Sequence, residues 1–190
     1  RRPPRSTRKE SSAASDVYKR QVQEEKNIME RPIVSGISSI DSEAKLTMRG
    51  VPDIPGVAAK ILSPISEAGI EVDVIVQNIS AENNTDFTFT VDKADAKKAE
   101  AILQEVSISL EGGSIEVDDD IAKISIVGRG MRAHAGVASK MFQALAKSEI
   151  NISMITTSEI KISVVIKKSE MANAVSALHD AFDLDKELDS

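Results

Sequence analysis

The sequence has no cysteine, no tryptophan and only two histidines. The first absence excludes disulfides, thiolate metal sites and a cysteine nucleophile. With His134 and His179 alone, a zinc site has little to build on. Aromatic residues amount to 3% while apolar residues reach 41%, so any core is packed from Ile, Val, Leu and Ala, a composition suited to sheets covered by helices. No apolar run approaches the roughly 20 residues needed to span a bilayer, and there is no apolar h-region of a secretory signal. A soluble, reducing, cytoplasmic setting is the expectation.

A length of 190 residues suits one domain or two small ones. The net charge of −6 is unevenly spread. Residues 1–21 hold seven Lys/Arg against two acids, a net +5, so the rest of the chain, with 17 bases and 28 acids, carries −11. An acidic body argues against nucleic acid as a partner. The basic opening RRPPRSTRKESSAASDVYKRQ lacks apolar periodicity and cannot bury enough surface to fold. Residues 1–28 are therefore expected to be disordered. The stretch SSAASDVYKRQ resembles junction sequence recurring in translated library reads, so the segment is expected to be foreign to the natural protein, with Met29 its expected start.

From Ile33 the pattern is regular. PIVSGISSI is a short β-rich run, 44-AKLTMRG-50 alternates, and 56-GVAAKILSPISEAG-69 places Val57, Ile61, Ile65 and Ala68 at helical spacing. VDVIVQNIS and DFTFTV alternate on either side of the turn-rich SAENNT and predict a hairpin. The stretch 94-ADAKKAEAILQEV-106 predicts an amphipathic helix, and SIEV a last strand. The order β-α-β-β-α-β is that of the ferredoxin-like module.

The order then restarts. AKISIVG matches AKLTMRG at an offset of 78, GVASKMFQALAKSE and ISMITTSE follow at 80, and KISVVIKK with MANAVSALHDAF follow at 75. A bounded offset across five elements marks a duplication. The second copy ends in the acidic DLDKELDS, which is unsuited to a sheet, so it lacks a fourth strand. The β-run at 33–40 is expected to supply it. The expected units are thus residues 44–118 and residues 33–40 with 121–184, followed by an acidic tail at 185–190. Pro64 lies inside the first helix, where it removes a hydrogen bond at a cost of about 3 kcal/mol, and predicts a kink or a break.

Each copy sets a loop and a glycine before its first helix, as 51-VPDIPGVAAKIL-62 and 130-GMRAHAGVASKM-141. A helix N-terminus offers unpaired N–H groups that can hold a carboxylate. Asp53 could pair with an ammonium and Gln77 with a hydroxyl or amide, which together are the groups of a free amino acid. The alternative is that Pro55 and Gly56 only fix a turn. Elsewhere, His134 and His179 read as solvated or packing residues. The three Asp at 118–120 lack the further ligands of a calcium loop, and GRG at 128–130 is not a dinucleotide fingerprint.

The runs AKLTMRGVPDIPGVAAKI, VQNIS, TDFTFTV, GRGMRAHAGVASKMF, NISMITTSEIKISVVI and ALHDAFDL, in that order between Pro32 and Leu184, closely resemble the regulatory tandem ACT domains of aspartate kinase. They are most similar to the bacterial form also made as a separate regulatory beta subunit. The resemblance implies an α+β fold of two ferredoxin-like ACT domains, with antiparallel sheets carrying helices on one face. It implies binding of lysine and/or threonine as feedback inhibitors of ATP-dependent phosphorylation of L-aspartate. That reaction lies on the lysine (diaminopimelate), threonine and methionine biosynthetic routes.

The effector contacts so implied are Asp53, Ile54, Pro55, Gly56, Val57, Ala58, Glu71, Val72, Asp73 and Gln77 in the first copy. In the second they are Val137, Ala138, Asn151, Ile152, Ser158 and Glu159. Implied partners are the kinase catalytic domain or subunit and a second copy, since ACT modules pair side by side and a site then joins elements of both copies. No catalytic residue, metal or cofactor is assigned to this chain; ATP and Mg belong to the kinase domain, whose motifs are not found in these residues. Ala135 stands where relatives often have Pro, and Ala138 where some have Thr. Competing readings are an amino-acid sensor or inert assembly domain of another enzyme, a nucleic-acid binder disfavoured by charge and missing aromatics, and a small phosphatase lacking a clear phosphate-cradling loop.

Overall fold

The computed structural model describes residues 34–79, 84–110, 113–129 and 136–184. The N-terminal segment 1–28, Met29, the loop carrying His134 and Ala135, and the tail 185–190 lie outside the described residues.

The alternating runs become strands β1 (Val34–Ile40), β2 (Glu43–Pro52), β3 (Val72–Ile79), β4 (Asn84–Asp92), β5 (Ser114–Asp118), β6 (Ile121–Gly128), β7 (Met154–Thr157) and β8 (Lys161–Lys167). The 3.6-periodic runs become helices α1 (Val57–Glu67), α2 (Ala96–Ser109), α3 (Val137–Lys147) and α4 (Met171–Phe182), the last preceded by a short 3₁₀ turn. The strands form two four-stranded antiparallel sheets, ordered β3-β4-β2-β5 and β1-β6-β8-β7. The fold is α+β and ferredoxin-like twice over. At the edge of the second sheet β1 pairs with β6, with Ile37 opposite Ile126 and Ile40 opposite Lys123.

Period two puts one side of each strand under the helices. Leu46, Met48, Phe87 and Phe89 meet Ile61, Ile65 and Leu103 in the first core, all but fully buried. Ile124, Ile126, Val164 and Ile166 meet Met141, Leu145 and Leu178 in the second, with Val34 of β1 among them. In the first core Phe87 and Phe89 pack tilted at 59° with centroids 6.2 Å apart. The opposite, open faces of the two sheets meet through a third apolar cluster of Val74, Ile121, Met154 and Val165.

Pro64 does not break its helix. α1 runs unbroken from Val57 to Glu67, and the Ala68 amide still donates to the Pro64 carbonyl at 3.1 Å. The carbonyl that loses its donor is that of Lys60, an exposed residue, so water can serve it at little cost.

Candidate functional site

Gly56 opens α1 in the left-handed region, with φ 90° and ψ 0°, and Gly136 opens α3 in the same way with φ 104°. The conformation suits glycine, and it turns the chain sharply from the loop into the helix. The Val57 amide donates back to the Ile54 carbonyl at 3.2 Å, and the Lys60 amide makes the first bond of the helix to the Gly56 carbonyl at 3.0 Å. The amides of Ala58 and Ala59, in the first turn, have no helical acceptor behind them.

Around this turn lies a cavity of about 430 Å³ lined by Asp53, Ile54, Pro55, Gly56, Val57, Ala58 and Gln77. The fold thus brings Gln77 to the loop that the duplication singles out. It does so because Gln77 is opposite Phe87, on the helix-covered side of the edge strand β3, just beyond the start of α1. Glu71 and Val72 line a separate cavity of about 460 Å³ with Leu62, Ser66 and Ile70. All the lining of the loop cavity comes from the first copy.

The second-copy residues are placed apart from it. Val137 is buried in the second core and Ala138 packs against it. Asn151 is exposed ahead of β7, and Ile152 lines a cleft between the two copies. Ser158 closes the turn from β7 to β8, its amide donating to the Lys161 carbonyl at 2.8 Å and its hydroxyl accepting from the Lys161 amide at 3.1 Å. Glu159 is exposed in that turn.

Asp73 has a different engagement. Its carboxylate, with that of Glu43, accepts hydrogen bonds from the Lys123 ammonium of the second copy. Lys123 is 4% exposed, on the open face of β6 between Ile121 and Ser125. Burial alone pulls a lysine pKa down, but here the hydrogen bonds and charges of Asp73 and Glu43 outweigh it and hold the ammonium above the ordinary lysine value. Alternation in AKISIVG marks position 123 as facing away from the helices; it does not reveal that this face is covered. The nearest sequence signal is a lysine in a strand that is apolar but for Ser125.

The family model for the ACT domain matches residues 47–106 and again 124–182, one match per copy. The regulatory subunit of aspartate kinase from Thermus thermophilus, in its ligand-free form, superposes with a TM-score of 0.75 at 40% identity, covering 79% of this chain and 99% of that one. Aspartate kinase of Synechocystis gives 0.77 at 41% identity over 84% of this chain and 28% of that one. Aspartate kinase of Pseudomonas fluorescens is 60% identical over 162 residues, which are 85% of this chain and 39% of the relative.

These features define a tandem ACT-domain protein. Within that class the chain belongs to the aspartate kinase family, as its regulatory part. It spans about 39% of the length of the curated relatives it matches.

Proposed function

We propose that this chain senses lysine and/or threonine and transmits their presence as feedback inhibition of aspartate kinase. The observation that carries the reading is the cavity joining residues 53–58 to Gln77. Its helix N-terminus suits a ligand carboxylate, the Asp53 carboxylate suits an ammonium, and the Gln77 amide suits a hydroxyl or a second polar group. ATP and Mg act in the catalytic part, which is the partner of this chain as a domain or a subunit.

A second copy completes the site, with its Asn151 and Ile152 closing the loop cavity. The edge strands support this pairing. Ile54 in the loop before α1, Ile75 on β3 and Ile155 on β7 are all close to half exposed. Both strands lie at sheet edges, where unpaired backbone groups seek a partner.

An effector shifts the kinase only through unequal affinity for two states, and coupling of about 1–3 kcal/mol is typical. Calorimetric titration of the chain, alone and with the catalytic part, is expected to give saturable binding of lysine or threonine. Asp53→Asn removes one charge-assisted hydrogen bond, worth about 1.5–3 kcal/mol, and is expected to weaken binding at least about tenfold. No heat with either amino acid, in either setting, would remove the effector reading.

A further inference from the structure

The duplication pairs each residue of one copy with a residue of the other, and at one place the pairs are unequal. Lys45 and Lys123 hold the same position, 78 residues apart, opposite Thr90 and Val165, which are themselves equivalent. Two residues further on, the Thr47 and Thr88 hydroxyls meet at 3.0 Å, and their counterparts on Ser125 and Ser163 meet at 2.7 Å. The framework of the two open faces is therefore the same.

The surroundings of the two lysines are not. Lys123 is met across the copies by Glu43 and Asp73. The residues equivalent to these, on the side of Lys45, are Ile121 and Ser153. Both carboxylates are missing there, and the space beside Lys45 is a cavity of about 510 Å³. Thr47, Asn78, Thr88 and Ser153 contribute polar groups to its wall, and its charged lining is Lys45, Arg49 and Asp86. Lys45 reaches the Asp118 carboxylate of its own sheet at 3.3 Å, but that side chain is 46% exposed. Arg49 holds Glu116 at 2.7 and 2.9 Å and makes only a long contact of 3.4 Å to Asp86.

We propose that this cleft is a binding site for a small organic dicarboxylate. One carboxylate takes at Lys45 the place that Glu43 and Asp73 take at Lys123, and the other lies toward Arg49, with the Thr47 and Thr88 hydroxyls and the Asn78 amide between. With Asp86, Asp118 and Glu116 counted, the surrounding charge is not positive; what favours a carboxylate here is that the same lysine meets carboxylates in the other copy. The site lies on the face of the first sheet opposite to the loop cavity, so the two ligands do not compete for the same groups.

The test is a titration of the full chain with succinate, followed through its amide NMR spectrum. Saturable shifts are expected at Thr47, Thr88 and Ser153, and none with succinamide, the uncharged analogue. Ser153→Asp returns to Lys45 the carboxylate that Lys123 finds in Asp73, and is expected to weaken succinate binding at least about tenfold while leaving the spectrum that of a folded chain. Lys45→Gln is expected to weaken it equally, and serves if Ser153→Asp fails to fold. The proposal is overturned if succinate gives no saturable shift at concentrations on the order of 10 mM, if succinamide shifts the same amides, or if binding survives both variants unchanged. Shifts at Val57 and Gln77 report the loop cavity separately, so either site can fail without the other.

Discussion

Lys123→Ala is expected to lower the unfolding free energy by about 3–5 kcal/mol, the loss measured when one partner of a buried ion pair is removed. The variant leaves Glu43, whose side chain is 12% exposed, and Asp73 facing one another across the gap without their shared cation. One Glu43 oxygen already has no hydrogen-bond partner, so the site has no reserve of donors. Lys123→Met fills the volume but still strands the Glu43 carboxylate, whereas Asp73, 43% exposed, keeps its water; it is expected to be nearly as damaging. Adding Glu43→Gln should return part of the loss, since it removes the stranded charge.

The same network gives stability an alkaline limb. The folded-state pKa of Lys123 lies above the unfolded value of about 10.4. Its contribution is fully present below that unfolded value and is lost as pH rises through the raised folded one. Urea unfolding of the parent chain should therefore weaken above about pH 10, and Lys123→Met should show a flatter profile there. A variant as stable as the parent would mean that the copies are held together by Val74, Ile121, Met154 and Val165 alone.

Removal of residues 1–42 is expected to unfold the second copy and to spare the first. β1 supplies the pairing along one edge of β6 from Val34 opposite Gly128 to Ile40 opposite Lys123. It also supplies Val34, which is 3% exposed within the second core. Burying one such side chain is worth about 1.5–3 kcal/mol, and each strand hydrogen bond nets about 0.5–1.5 kcal/mol. The combined loss, on the order of 5 kcal/mol, rivals the whole stability of a small domain. Methyl NMR separates the copies: Ile124, Ile162 and Val164 signals should collapse toward random-coil positions while those of Leu46, Ile61 and Leu103 persist. Retention of both sets would show that β8 and β7 suffice to hold β6.

Much of the fold is written in local periodicity. Phe87 and Phe89 alternate with threonines, and Val57, Ile61 and Ile65 recur at helical spacing, so each element carries its own buried face. The drifting offset of 78, 80 and 75 places the copies side by side in sequence, and the acidic end of the second copy points to a strand taken from elsewhere. Non-local packing is what periodicity cannot express. Lys123 reads as an outward residue of a half-buried strand, and it is buried only because two open faces meet. Asp73, assigned to an effector contact by resemblance, lies against Lys123, while Gln77 reaches the loop at 53–58 through the register of β3 on β4. At Pro64 no break is seen, because the cost depends on which carbonyl it orphans, and the carbonyl of Lys60 belongs to an exposed residue.

These placements divide the labour between the copies. The first presents its loop and edge strand to the surroundings, while the Lys123 network fixes the starts of β2 and β3 to the second copy. A ligand that orders residues 53–58 acts on a segment leading directly into α1, whose Ile61 and Ile65 sit in the first core. Displacement there is felt by packed side chains with little freedom to yield.

Amide hydrogen exchange on the chain, with and without saturating lysine or threonine, reads effector binding at the 53–58 loop. The expected result is slowed exchange at Ile54, Gly56, Val57, Ala58 and Gln77 with one or both amino acids, joined by Asn151 and Ile152 when a second copy closes the site. Unchanged exchange at the 53–58 loop and Gln77 under conditions where binding is saturated would contradict it.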